Sequence, residues 1–429
     1  MNEHTEEKDQ NPSPDLNSPD QEKTQIIPDT SKTDQESESE SQTSQKTASD
    51  EKDSSPKKKE SKIGGWIIAA VCVLALTISV SLYMANPKKA AQAAEDRSIT
   101  MLDVGFDTAI TFQTKCTEED FNKYLEIVRS TFIDCNALFD AVKESTVDGI
   151  TSMYTINQEA HDHPVEVDSQ VIELIRDSIE IHSINEKFDP SQGKLTALWR
   201  DALNKADENP GSDGVLPSDS DIQASINHLS MDGVEITDST VELTDEAASL
   251  DFGAIAKGYA AELAAERLKE AGLDYGLINA GGNVVLIGEK PNGKPWKVGI
   301  QNPSGSNSLV IYTTEQPECL VTSGDYQRYM MVDGKRYNHI IDPTTGYPAE
   351  YMRSVTVIAD DSTYADGMST ALFCMPVEEG MALCEQTGLK AVWIVDHGTL
   401  EKTPDLSTDD YDIYMTPDIK DQVSLKQQS

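Results

Sequence analysis

Apolar residues recur at helical spacing at Phe121, Tyr124, Leu125, Val128, Phe132, Cys135 and Phe139, which predicts a helix with one buried face. Thr117-Glu118-Glu119-Asp120 opens it in the manner of a capping box, with Asp in place of Glu at the third helical position. A second helix is expected over residues 168–187, presenting Val171, Ile175, Ile179 and His182 on one side; His182 reads as a helix-face residue without chemistry. A third, alanine-rich, opens at Leu250-Asp251-Phe252-Gly253-Ala254-Ile255-Ala256-Lys257-Gly258-Tyr259 and ends near Gly272. Strands are expected at 106–114, 275–279, 283–288, 296–300, 308–313, 320–323, 328–332 and 335–341. Pro291-Asn292-Gly293-Lys294 and Asp333-Gly334 supply hairpin turns between some of them. Residues 207–221 are acidic and polar, as a surface loop is. Helices, then strands, then helices, with tight hairpins, imply an α+β fold: a mixed, largely antiparallel sheet packed with helices. The pattern bounds one compact domain at about 99–407, leaving 408–429 as a C-terminal tail.

The first hundred residues read differently. Residues 1–62 are rich in Glu, Asp, Ser, Thr, Gln and Lys, and end in the basic cluster Lys57-Lys58-Lys59 and Lys62. Such a composition buries too little apolar surface to offset chain entropy, so a disordered acidic tail is expected. Ile63 to Ala85 then carries no charge over 23 residues, and a membrane-crossing helix needs about 20. Trp66 and Tyr83 stand near its ends, where aromatic belts form. The apolar run is longer than that of a signal peptide, and the leader is unlike a signal n-region. The lysine cluster ahead of the span orients the N-terminus to the cytoplasm and the domain outside the cell membrane, after a linker at 86–98.

Net charge is −40, which argues against a nucleic-acid partner, since a phosphate backbone needs a basic surface. Cys72 falls in the apolar span, and the other five cysteines are scattered without CxxC spacing. Neither a zinc site nor a disulfide framework is signalled.

The candidate chemistry concentrates between Tyr337 and Phe373. His339 ends an alternating strand beside the turn Asp342-Pro343-Thr344-Thr345-Gly346-Tyr347-Pro348. Asp366 and Thr370 lie four residues apart and so share a helix face. A carboxylate and a hydroxyl are hard oxygen donors, suited to Mg²⁺ rather than to a soft metal. Upstream, Lys257 in the first turns of the alanine-rich helix suits a diphosphate, held at a positive helix end. Ala280-Gly281-Gly282 lets backbone approach a ligand or another segment.

Five stretches in order resemble the FAD:protein FMN transferase (ApbE-like) family. They are Phe188-Asp189-Pro190 with Gly193 and Leu198-Trp199; Leu250 to Tyr259; Ile278-Asn279-Ala280-Gly281-Gly282-Asn283; His339-Ile340-Ile341-Asp342-Pro343 with Thr345 to Pro348; and Thr363 with Asp366 to Ala371. The resemblance covers about 103–406. It implies a Mg²⁺-dependent enzyme that splits FAD at its diphosphate, attaches FMN to a Ser or Thr of an acceptor protein and releases AMP. It implies a metal held by the Ala254 carbonyl, Asp366 and Thr370, and His339 as the group that takes the hydroxyl proton. FAD contacts are implied for Asp251, Lys257 and Ile340, for the loop residues Phe188, Asp189, Ser191 and Gly193, and for Phe139. The acceptor would belong to a membrane-associated or extracytoplasmic electron-transfer system. Two segments depart from the family: Val147 to Met153 replaces a Glu-Ser-Glu-type stretch, and Gly105-Phe106-Asp107-Thr108 replaces a Met-Gly-Thr-like start.

Two other readings remain at this stage. One is a Mg²⁺-dependent FAD pyrophosphatase giving FMN and AMP, because water and a serine hydroxyl would use one nucleophile position. The other is a non-catalytic flavin-binding module, which would not need Asp366, Thr370 and His339 together.

Overall fold

The computed structural model describes residues 94–305 and 307–427; the acidic tail and the apolar stretch 63–85 lie outside them. Among the described residues no helix is long and apolar enough to cross a membrane.

A nine-stranded sheet organises the chain. Its strands run in the order Glu95–Met101, Ile110–Cys116, Gly276–Ala280, Asn283–Ile287, Cys319–Gly324, Ser354–Ala359, Lys390–Asp396, Tyr411–Met415 and Leu406–Ser407. Every neighbouring pair is antiparallel, so the α+β expectation holds. Successive side chains point to opposite faces, and here both faces are covered. Val285 and Ile287 point into a core shared with the helices Glu118–Phe139, Ala256–Glu270 and Ser362–Phe373. Val284 and Leu286 point the other way, toward a three-stranded sheet of Val423–Leu425, Ser308–Thr314 and Trp296–Gln301. Two buried faces explain why these strands read as continuous apolar runs rather than as alternations.

Local signals act as their chemistry requires. Thr117 caps its helix by accepting from the Asp120 N–H at 3.2 Å, and its hydroxyl donates back to the Asp120 carboxylate at 2.8 Å. Asp333 and Gly334 both take positive φ, 49° and 77°, as a two-residue turn of the mirror-image type demands. They join Tyr329–Val332 to Lys335–Asn338 in a hairpin that forms its own two-stranded sheet.

Several boundaries need correction. The expected strand at 106–114 is Ile110–Cys116, because Gly105, Phe106 and Asp107 all have positive φ and form a turn. The linker expected at 86–98 overlaps Glu95–Met101, a strand at the edge of the sheet; an edge tolerates the charges that made it read as linker. The C-terminal tail expected at 408–429 supplies two strands. Tyr411–Met415 is fully buried beside Lys390–Asp396, and Val423–Leu425 closes the small sheet against Ser308–Thr314. The acidic 207–221 region ends in a short helix, Asp219–Ile226, capped by Ser218.

Candidate active site

Two helices meet at the base of the site. Gly258, in the first turn of Ala256–Glu270, lies against Ser362–Phe373 so closely that a Cβ there would stand 2.3 Å from the Ser362 carbonyl oxygen and 2.7 Å from Asp366 Cβ. This approach lets the Gly258 N–H donate to Asp366 Oδ2 at 2.8 Å, with Lys257 Nζ 3.9 Å from the same oxygen. Asp366 is 3% exposed. Burial pushes its carboxyl above the usual range, while Lys257 and the Gly258 N–H oppose that rise. Thr370 follows one turn later on the same face, also buried.

The segment before the helix is held from a third element. Asp251 Oδ1 accepts from the Gly253 N–H at 2.8 Å. Its Oδ2 accepts from Thr196 Oγ1 at 2.8 Å and from Arg200 Nη1 at 3.0 Å. Thr196 and Arg200 are four apart on the helix Gly193–Asp207 and therefore share a face. The sequence reading missed both; the four-residue spacing from Gln192 through Thr196 to Arg200 was the signal available.

His339 follows the hairpin strand Lys335–Asn338. Its backbone N–H donates to the Arg328 carbonyl at 3.1 Å, and its Nδ1 lies 3.2 Å from the same oxygen. A carbonyl only accepts, so Nδ1 carries the proton and Nε2 keeps a free lone pair. Its side chain faces the open cleft, yet protein packed around the ring disfavours the charged form. That crowding, with the nearby Lys257 charge, brings its pKa down to about 4; the imidazole is neutral at physiological pH. The turn beyond it is braced by Lys187, whose Nζ lies 2.8 Å from both oxygens of the buried Asp342, and by Trp199 Nε1, which donates to the Gly346 carbonyl at 2.8 Å.

Asp251, Ala254, Lys257, His339, Ile340, Asp366 and Thr370 all line one cleft of about 230 Å³, together with Gln192, Arg200, Gly281 and Arg328. Five of the expected contact residues do not line it. Phe139 is buried in the core, edge-on to Phe252 and Tyr259. Phe188 is 1% exposed in the same core. Asp189 turns inward to accept from the Ser191 N–H and hydroxyl at 2.9 and 2.6 Å, and Ser191 in turn receives the Ser230 N–H. Gly193 donates to the Ser249 carbonyl at 2.8 Å, and a Cβ there would stand 2.6 Å from that oxygen. Phe188, Asp189, Ser191 and Gly193 shape the turn that leads into the helix carrying Thr196 and Arg200.

The donor set suits a hard cation. Among the described residues no three acidic, His or Cys side chains gather as a metal cluster. A cation here would rest on one buried carboxylate, a hydroxyl and a backbone carbonyl, and complete its shell from a bound diphosphate. Mg²⁺ is characteristically held this way, through one or two carboxylates plus substrate phosphates.

The sequence pattern of the ApbE family matches residues 106–393. An FAD:protein FMN transferase of Vibrio cholerae is 32% identical over 247 residues, 56% of this chain and 71% of that protein. One from Klebsiella pneumoniae is 35% identical over 236 residues, 54% and 70% respectively. The crystal structure of the ApbE protein of Thermotoga maritima superposes with a TM-score of 0.62 at 28% identity, covering 70% of this chain and 94% of that one. The apo flavinyl transferase ApbE of Pseudomonas stutzeri gives 0.61 at 25%, covering 77% and 97%. With its pattern matched over more than half its length, and with its fold shared, this chain belongs to the ApbE family.

Proposed function

We infer that the chain is an FAD:protein FMN transferase, as its relatives are named. The observation that carries this is the convergence of His339, Lys257, Asp251 and the Asp366/Thr370 pair on one cleft, from three separate segments spread over residues 251–370.

In the finer reading, the acceptor is a Ser or Thr hydroxyl. Its oxygen attacks the phosphorus of the FMN half of FAD, the phosphoester forms, and the P–O bond to AMP breaks. His339 Nε2 takes the hydroxyl proton, help that is typically worth about 10²–10⁴-fold. Lys257 sets a positive charge beside the diphosphate. Asp251, fixed by Arg200 and Thr196, presents its carboxylate to the nucleotide. Ala254, Asp366 and Thr370 would hold Mg²⁺, which when bound supplies charge neutralisation at the phosphates. Membrane attachment through residues 63–85, with the domain outside the cell, is supported by the charge-free run and the lysines before it; an acceptor in an electron-transfer system there is what the family resemblance implies.

The test is to incubate the full-length chain with FAD, Mg²⁺ and candidate acceptor domains. An FMN-mass adduct on the acceptor with equimolar AMP is expected. FMN and AMP in solution without an adduct would favour the pyrophosphatase reading.

A further inference from the structure

Asp325 directly follows the Cys319–Gly324 strand and is 9% exposed. Its N–H donates to the Arg353 carbonyl at 3.1 Å. Its Oδ2 accepts from Arg353 Nε at 2.8 Å and from Arg336 Nη1 at 3.1 Å. Arg353 is anchored to the nine-stranded sheet: its N–H donates to the Ile394 carbonyl at 2.9 Å and its Nη1 to Asp396 at 3.1 Å. Arg336 belongs instead to the hairpin, which shares no strand pairing with that sheet.

The connections form a closed circuit. Three residues after Asp325, the Arg328 carbonyl receives both the backbone N–H and Nδ1–H of His339. Three residues before His339, Arg336 returns to Asp325. One carboxylate therefore ties the strand that leads into His339, and the segment whose carbonyl fixes its tautomer, to the main sheet. The arrangement is not one that stability alone would favour. Asp325 Oδ1 is buried without a hydrogen bond, and a buried carboxylate oxygen left unpaired is costly; well-packed apolar residues often serve a fold better than a buried ion cluster.

We propose that Asp325 is a positioning residue for the transfer reaction, fixing His339 Nε2 against the cleft through Arg336. This rests on the reading of His339 as the proton acceptor. A misplacement of about 1 Å can cost about 10²-fold in rate, and the loss cannot exceed that of removing the base itself.

The experiment uses the full-length chain with FAD, Mg²⁺ and an acceptor domain, measuring FAD affinity by flavin fluorescence and turnover by AMP release. Asp325→Asn should hold FAD affinity within about threefold and lower turnover by about 10- to 10²-fold. Arg336→Gln, at a half-exposed position, should do the same, and it carries the test if Asp325→Asn does not fold. In a His339→Ala background, either change should lower the residual turnover no further. Equal losses in both backgrounds would make the cluster merely structural and overturn the proposal, as would unchanged turnover in the variant that folds. If His339→Ala alone turns over like the wild type, the reading of His339 fails, and the positioning role with it.

Discussion

Gly258→Ala probes the helix crossing beneath the site. The added methyl would stand 2.3 Å from the Ser362 carbonyl oxygen, 2.7 Å from Asp366 Cβ and 2.9 Å from the Ser362 carbonyl carbon. Non-bonded atoms rest at about 3.5 Å, so the two helices must part by roughly 1 Å. All three contacts are backbone or the root of a side chain, which leaves no flexible group to yield. Overpacking of this kind costs about 1–3 kcal/mol. Alanine's better helix propensity offsets at most about 1 kcal/mol, and less in a first turn, so a net destabilisation of about 1–2 kcal/mol is expected. The functional loss should be larger. The same movement draws the Gly258 N–H away from Asp366 Oδ2, and about 1 Å at a reacting centre costs about 10²-fold. Thermal unfolding and Mg²⁺-dependent FAD cleavage, measured on one preparation, separate the two effects. Wild-type melting together with wild-type turnover would refute the argument that this contact sets the site. Lost stability with intact turnover would refute the link from Gly258 to Asp366.

Further outcomes follow from the same geometry. Asp366→Ala should abolish Mg²⁺-dependent FAD cleavage while the fold survives, and Thr370→Ala should be milder, since a neutral hydroxyl holds a hard cation less strongly; full turnover of Asp366→Ala at limiting Mg²⁺ would end the metal assignment. His339→Ala should leave FAD affinity within a few-fold and lower turnover by about 10²–10⁴-fold. With its pKa depressed to about 4, neutral His339 is the species present at and above neutral pH. The wild-type rate should therefore persist below the ordinary histidine range of about 6.5 and fall only as pH approaches the lowered value, a limb absent from His339→Ala; a limb centred at 6.5 or above would contradict the crowded site. Protease added to intact cells should remove the domain and spare the N-terminal tail, and a protected domain would reverse the proposed orientation.

What was legible in the sequence was chemistry carried by neighbours along the chain. Thr117 with Asp120, Asp333 with Gly334, and Asp366 with Thr370 each act within a turn or two, where spacing fixes geometry. The four-residue spacing of Thr196 and Arg200 marked a shared helix face, but not that this face meets Asp251 across fifty or more residues of intervening chain. Phe139, Phe188, Asp189, Ser191 and Gly193 show the converse. Phe139 and Phe188 are spent on core packing, and Asp189, Ser191 and Gly193 on holding the protein's own backbone. The C-terminal strands were hidden by composition: Tyr411 follows two aspartates and precedes a third, and only their place between apolar neighbours makes them core.

The strand order also governs how such a chain can be made. Glu95–Met101 and Ile110–Cys116 join the sheet through Gly276–Ala280, so these two strands wait for a partner some 160 residues behind them. At the other end, Tyr411–Met415 and Val423–Leu425 complete the packing between the two sheets. The large sheet cannot close before Tyr411–Met415 has been made, nor the small one before Val423–Leu425. A protein dominated by such distant pairings folds slowly, and its unpaired edges stay open to aggregation meanwhile. A nascent chain released early, ending at Thr408, would carry every residue of the cleft and yet lack the strands that seal the core behind it.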